Sequence, residues 1–162
     1  MQLTLIAGIF AIALYSTGFA LQLSRLASGG NVGLVAVNRQ PVFVAGGLAV
    51  VAHATSASGV IYTSTGYHFG IVEISTLIAA SISLLVLTSS LRKPLENLFL
   101  GLFPLAVVAI ILSLTVSSDY PPTDLSAGMA SHVLISILAY SFMTIAAVQA
   151  GFLAYQNHQL KN

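Results

Sequence analysis

The 162-residue sequence contains no cysteine and no tryptophan, and only 6% of its residues are charged. The absence of cysteine excludes a disulfide scaffold, thiol redox chemistry and thiolate metal sites. The absence of tryptophan leaves any interfacial anchoring to Tyr15, Tyr62, Tyr67, Tyr120 and Tyr155. The shortage of charge is the most restrictive. Soluble domains carry roughly 25% charged residues, and a soluble fold of this size could not cover its surface with so few. A net charge of +1 offers no basic patch for phosphates, so nucleic acid is excluded as a partner. P-loop, dinucleotide-glycine, nucleophile-elbow and paired-carboxylate motifs are also missing.

What is abundant is apolar residues, at 57%. A helix crosses the hydrocarbon core with roughly 20 of them. Five segments qualify, at 3–23, 41–62, 70–91, 95–116 and 129–155. They predict an all-α fold, a polytopic bundle of five transmembrane helices in one domain over 1–162. The first run lacks a basic leader and is long enough to span, so it reads as a helix and not a cleaved signal. Pro41 suits the first turn of the second helix. The polar stretch 24–40, a short loop through Gly66 and His68, a tight turn at Arg92, Lys93 and Pro94, and the loop 117–128 separate the spans. Asp119, Pro121, Pro122 and Asp124 mark that last loop as turn-rich. No repeat, low-complexity tract or interdomain linker is evident.

Charge orients the bundle. Arg25, Arg39, Arg92, Lys93 and Lys161 all fall on one side of a five-helix alternation. The positive-inside rule assigns that side to the cytoplasm, with the N-terminus outside and the C-terminus inside.

Ionisable groups at membrane depth are costly and mark candidate sites. His53 lies about nine residues, roughly 13 Å, from the outer end of the second helix. His132 lies one turn inside the outer end of the fifth, on a stripe with Ser136, Tyr140 and Thr144 at a spacing of four. This stripe is expected to face the bundle interior, a wet cleft or a cofactor. Two readings stand for each histidine: a hydrogen-bonded tie to a neighbouring helix, or a ligand to haem iron, for which imidazole is the usual axial group. Zinc between them lacks further ligands at that depth. Glu73 suits the positive end of the third helix. His68 reads as a solvated loop residue and His158 as a bystander in the tail. Gly46, Gly47, Ala79, Ala80 and Ser83, and Ala139, Ala146, Ala150, Gly151 and Ala154, read as packing surfaces. The polar set His53, Ser56, Thr76 and Ser83 could line a permeation path, although no broken helix or repeated half marks a transporter.

The run Leu125-Ser126-Ala127-Gly128-Met129-Ala130-Ser131-His132-Val133, then Ser136 and Leu138-Ala139-Tyr140, resembles the cytochrome c assembly protein family (the CcsA/CcmC superfamily). The continuation Ala146-Ala147-Val148-Gln149-Ala150, Leu153-Ala154-Tyr155-Gln156 and Gln159-Leu160-Lys161 is similar to its YpjD/HemX-like inner-membrane branch, and Ala52-His53-Ala54 fits the same pattern. The resemblance implies a multi-pass protein of the bacterial inner membrane that binds or presents haem at the outer face, alongside other cytochrome c maturation proteins. It implies haem binding and delivery rather than catalysis. By that likeness His132 is an axial ligand, His53 a second candidate for haem iron, and Ser136 and Tyr140 part of the cofactor stripe. Haem-handling members also carry a tryptophan-rich outer loop and a second outer histidine, and continue for about three more helices. The chain therefore reads as the N-terminal part of a longer family domain. The alternatives are a cofactor-free structural or regulatory membrane subunit and a small-molecule permease.

Overall fold

The computed structural model describes residues 2–27, 38–93, 95–116 and 118–161. Most of the predicted 24–40 connection, together with Pro94, Ser117 and Asn162, lies outside the described residues. The described chain is helical, with α1 (Gln2–Ala27), α2 (Gln40–Ile61), α3 (Ile71–Ser90), α4 (Phe99–Thr115) and α5 (Ala127–Lys161). A single 3-10 turn, Glu96–Leu98, leads into α4. By length and apolar composition all five helices can cross a membrane, as the spacing of apolar runs predicts. The largest departure is α5. Its 35 residues give a length of roughly 52 Å, well beyond a hydrocarbon core of about 30 Å.

Local chemistry explains the helix boundaries. Asn38 Oδ1 accepts from the Gln40 backbone N–H at 2.9 Å, and Pro41 occupies the first turn of α2, where its missing donor costs nothing. Gly70, with extended backbone, precedes α3, and Glu73 follows in the first turn. The predicted loop after α2 is instead a small antiparallel hairpin, β1 (Tyr62–Thr63) and β2 (Gly66–Tyr67). Tyr62 pairs with Tyr67 and Thr63 with Gly66. Gly66 closes the two-residue turn at φ +127°, a conformation that side chains with a Cβ rarely adopt.

Helices α1 to α4 pack in a ring, each against the next, with α4 returning to α1. Tyr15, Val42, Phe99, Leu102, Phe103 and Ile110 fill its centre and are essentially inaccessible. The Phe99 and Phe103 rings stack 4.7 Å apart, and Phe103 meets Tyr15 at 5.2 Å. Gly46, Ala79, Ala80 and Ser83 are buried at helix contacts, as their small size suggests. Close approach matters because lipid tails are as apolar as leucine, so packing and interhelical hydrogen bonds must hold the helices together. Helix α5 stands outside the ring. It lies mainly against α3, and Val148 also reaches Gly101 of α4.

The distribution of side chains is reversed relative to a water-soluble bundle. Leu3, Ile6, Phe10, Val51, Ile71, Val108, Ile135 and Phe142 are exposed, whereas Gln22, His53, Ser56, Glu73, Thr76, Ser83 and Ser90 are buried. Lipid tolerates the first group and would penalise the second.

The connections sort to two ends. Arg39 Nη1 and Glu96 Oε1 are 3.3 Å apart, so the start of α2 and the α3–α4 turn share an end. At the other end, Tyr67 and Thr123 exchange backbone hydrogen bonds at 3.0 and 2.9 Å. This bridge joins the hairpin to the α4–α5 connection and supports the up-and-down alternation expected from the charges.

Candidate functional site

The sequence-selected residues separate into two places. His53 occupies the middle of α2 and is fully buried. Its Nδ1 is 3.3 Å from the Tyr15 hydroxyl on α1, and its Nε2 is 2.9 Å from Thr76 Oγ1 on α3. Either neutral tautomer satisfies both contacts, with one bond donated and one accepted. Ser83 lies beside the Tyr15 phenol, and Phe103 brings α4 against the same ring. His53 is therefore the polar centre of the four-helix ring, tied to both neighbouring helices. Of its two readings, the interhelical tie describes this geometry.

His132 is on α5, exposed, and has no hydrogen-bond partner among the described residues. Only the Thr144 end of its stripe meets the bundle, where it lines a cavity with residues of α3 and α4. Tyr140 is 56% exposed, while Ser136 and Thr144 are half-buried. The inward face of α5 is instead Val133, Ile137, Ser141 and Val148, of which Ile137 and Ser141 are buried. His132 lies roughly 140° around the helix from Ile137 at 3.6 residues per turn. No hydrogen bond or ring contact brings His53 and His132 together. A stripe of His, Ser and Tyr on the outer face of a spanning helix is poorly matched to lipid; it is suited to a surface that something else covers.

A haem site would need an accessible imidazole. His132 is exposed and has no hydrogen-bond partner among the described residues. His53 could reach iron only by giving up Tyr15 or Thr76, and it lies where there is no accessible surface. Among the described residues, no three His, Cys, Asp or Glu side chains converge on a point. Four cavities among the described residues are lined by side chains other than His53, Ser56, Thr76 and Ser83.

Two features of the hairpin end are not apparent from the helical pattern. The first is a cavity of about 390 Å³ between α2, the hairpin, α3 and α5. Tyr62, Tyr67 and Phe69 form its aromatic wall, and Val133 and Ile137 its floor. The Tyr67 and Phe69 rings are parallel within 3°, and the Tyr62 and Tyr67 hydroxyls are 2.7 Å apart. That hydrogen bond to Tyr62 raises the Tyr67 phenol above its ordinary value of 10.0. The second feature is an acid–imidazole pair. Glu73 occupies the first turn of α3 as expected, yet it is buried, and its Oε1 lies 3.5 Å from His68 Nδ1. His68 is part-buried in this pair rather than solvated. The sequence signal for the first was the Thr63-Ser64-Thr65-Gly66-Tyr67 run, whose β-branched residues and glycine suit a tight hairpin.

Compared with known proteins, the chain matches no family model, no curated protein and no solved structure.

Proposed function

We propose that this chain is a haem-handling integral membrane protein of the cytochrome c assembly type, in which His132 is the axial ligand. One observation carries the reading: an exposed imidazole without a partner among the described residues, on a stripe with half-buried Ser136 and exposed Tyr140, on the helix that bears the family resemblance. Haem would supply redox-active iron and its carboxylates, and any covalent attachment would use the client cytochrome's thiols. The chain's own residues bind and orient it. His132 would hold the iron, and Ser136 and Tyr140 would add hydroxyl donors on the same stripe. His53 keeps the ring of helices beneath that surface in register.

The orientation follows from charge. The end that contains Arg39, Glu96, Arg92 and Lys93 is basic in balance, whereas the hairpin end carries no Lys or Arg. The positive-inside rule then puts the N-terminus outside, the C-terminus in the cytoplasm and His132 at the outer face; that the membrane is a bacterial inner membrane is what the family resemblance implies. Other cytochrome c maturation proteins are the natural partners of such a site.

An absorption spectrum of the detergent-purified, haem-supplemented protein, taken before and after reduction, tests the assignment. A Soret band is expected, retained in His53→Gln and lost in His132→Ala. A colourless wild-type protein would remove the haem reading.

A second reading is a cofactor-free structural or regulatory subunit. It is favoured by the exposed small residues Ala146, Ala150, Gly151 and Ala154 of α5, with open space around Gly151. It predicts a stoichiometric partner that co-purifies without colour and is released by Ala150→Leu.

A further inference from the structure

The hairpin end carries a charged group that the haem reading does not use. The Glu73 side chain is 4% exposed, and its Oε2 is enclosed without a hydrogen-bond partner among the described residues. A carboxylate left bare in such a place is strongly disfavoured unless something neutralises it. Oε1 is 3.5 Å from His68 Nδ1, at or beyond the limit of a useful hydrogen bond. On the other side, Oε2 and Ser118 Oγ both crowd the place a Cβ on Gly70 would take, so not even a methyl group could be accommodated there; Ser118 Oγ also accepts from the Tyr120 backbone N–H at 3.3 Å. His68 meets Oε1 alone and leaves Oε2 unpartnered, whereas a cation bound by the carboxylate can engage both of its oxygens.

The spacing is better matched to a shared cation. Two ligands on one tetrahedral zinc ion, each at roughly 2.0–2.1 Å, stand roughly 3.3–3.4 Å apart. We propose that His68 and Glu73 form a binding site for a borderline divalent cation of the zinc class, with the Ser118 hydroxyl and water completing the shell. The mixed nitrogen and oxygen donors select such an ion over magnesium or calcium, which prefer all-oxygen shells. The protein supplies two strong donors, since no three His, Cys, Asp or Glu side chains converge among the described residues. The ion is therefore exchangeable and not a closed structural zinc. The donors come from three segments: the residues after β2, the first turn of α3 and the α4–α5 connection. The bound ion would staple the hairpin end together, in series with the Tyr67–Thr123 bridge. This proposal shares no residue with the haem site and does not depend on it.

The test uses Zn²⁺ alone, on the full chain in detergent micelles without a histidine tag, in competition with a chromophoric chelator. One Zn²⁺ per chain is expected, unaffected by excess Mg²⁺ and unchanged in the His132→Ala/His158→Ala variant. Glu73→Gln and His68→Gln should each weaken binding at least about tenfold, the lower end of what loss of even an outer-shell partner costs. Zn²⁺ should raise the melting temperature of the wild type and not that of Glu73→Gln. Metal-free helicity and melting identify a variant that is merely misfolded, and His68→Gln provides the second route if Glu73→Gln is one. The proposal is overturned by a wild type that takes up no Zn²⁺. Undiminished uptake in the Glu73→Gln/His68→Gln variant, or uptake lost only with His132 and His158, overturns it equally.

Discussion

The ring of α1 to α4 and the outer helix α5 treat their polar residues in opposite ways. In the ring, His53 is enclosed and both of its nitrogens are engaged, by Tyr15 and Thr76. On α5, His132 and Tyr140 are exposed, and the imidazole is without a partner among the described residues. Both histidines sit in apolar helices of similar composition, so residue type alone does not separate a structural histidine from a candidate ligand. What separates them is the number of neighbouring helices. His53 stands where helices meet on both sides of α2, and α5 has its neighbours on one face. A polar group that already has partners stabilises the fold; one without them is available to a ligand or a partner.

This contrast can be broken by substitution. The largest effect is expected for Phe103→Ala, which empties the centre of the ring and should cost about 3–5 kcal/mol, read from unfolding in mixed micelles. His53→Ala should follow at about 2–4 kcal/mol, because it opens a cavity and leaves Tyr15 and Thr76 unpaired. His132→Ala should change stability by less than about 0.5 kcal/mol and, on the proposed haem assignment, abolish the Soret band. If the two histidine substitutions were equally destabilising, the division between ring and outer helix would be wrong.

Smaller effects sharpen the division. Thr76→Val keeps the shape and removes one hydrogen bond to His53, for which about 0.6–2 kcal/mol is expected in a membrane protein. The Arg39–Glu96 pair is half exposed on the arginine side, so Arg39→Ala should cost no more than about 1 kcal/mol. The smallest effect concerns pH. The Tyr62 hydrogen bond raises the Tyr67 phenol, so the contribution of this contact is fully present below the unfolded tyrosine value. It is lost only as pH rises through the higher folded value. Ultraviolet titration should show Tyr67 ionising later than a free tyrosine, and Tyr62→Phe should bring it back toward 10.0.

Much of the architecture was legible because spanning a bilayer imposes a length and a composition. The apolar runs 41–62 and 70–91 anticipate α2 and α3 to within a residue at each end, since Pro41, Gly70 and the Arg92–Lys93 turn mark their limits. The alternation of basic loops anticipated which connections share an end. The pair Tyr62–Tyr67 depends on a two-residue turn that only the run 63–67 hints at, and the contact of His68 with Glu73 depends on how the chain enters α3 after β2, which helical periodicity does not encode. The stripe His132, Ser136, Tyr140 and Thr144 was expected to face the bundle interior, a wet cleft or a cofactor; His132 and Tyr140 are exposed, and Ser136 and Thr144 are half-buried. Spacing of four defines a helix face, but it carries no information about which side the neighbouring helices occupy.

The sequence by itself determined that this chain is a set of five apolar helices with its positive charge at one end. Sparse charge and runs of roughly 20 apolar residues permit few other arrangements. Only the tertiary structure decided that His53 is a tie and His132 is open, and that Glu73 is buried beside His68 with one oxygen unpartnered. Those outcomes depend on which helices lie next to which, and in a membrane that choice rests on side-chain packing and interhelical hydrogen bonds, which no periodicity along one helix can encode.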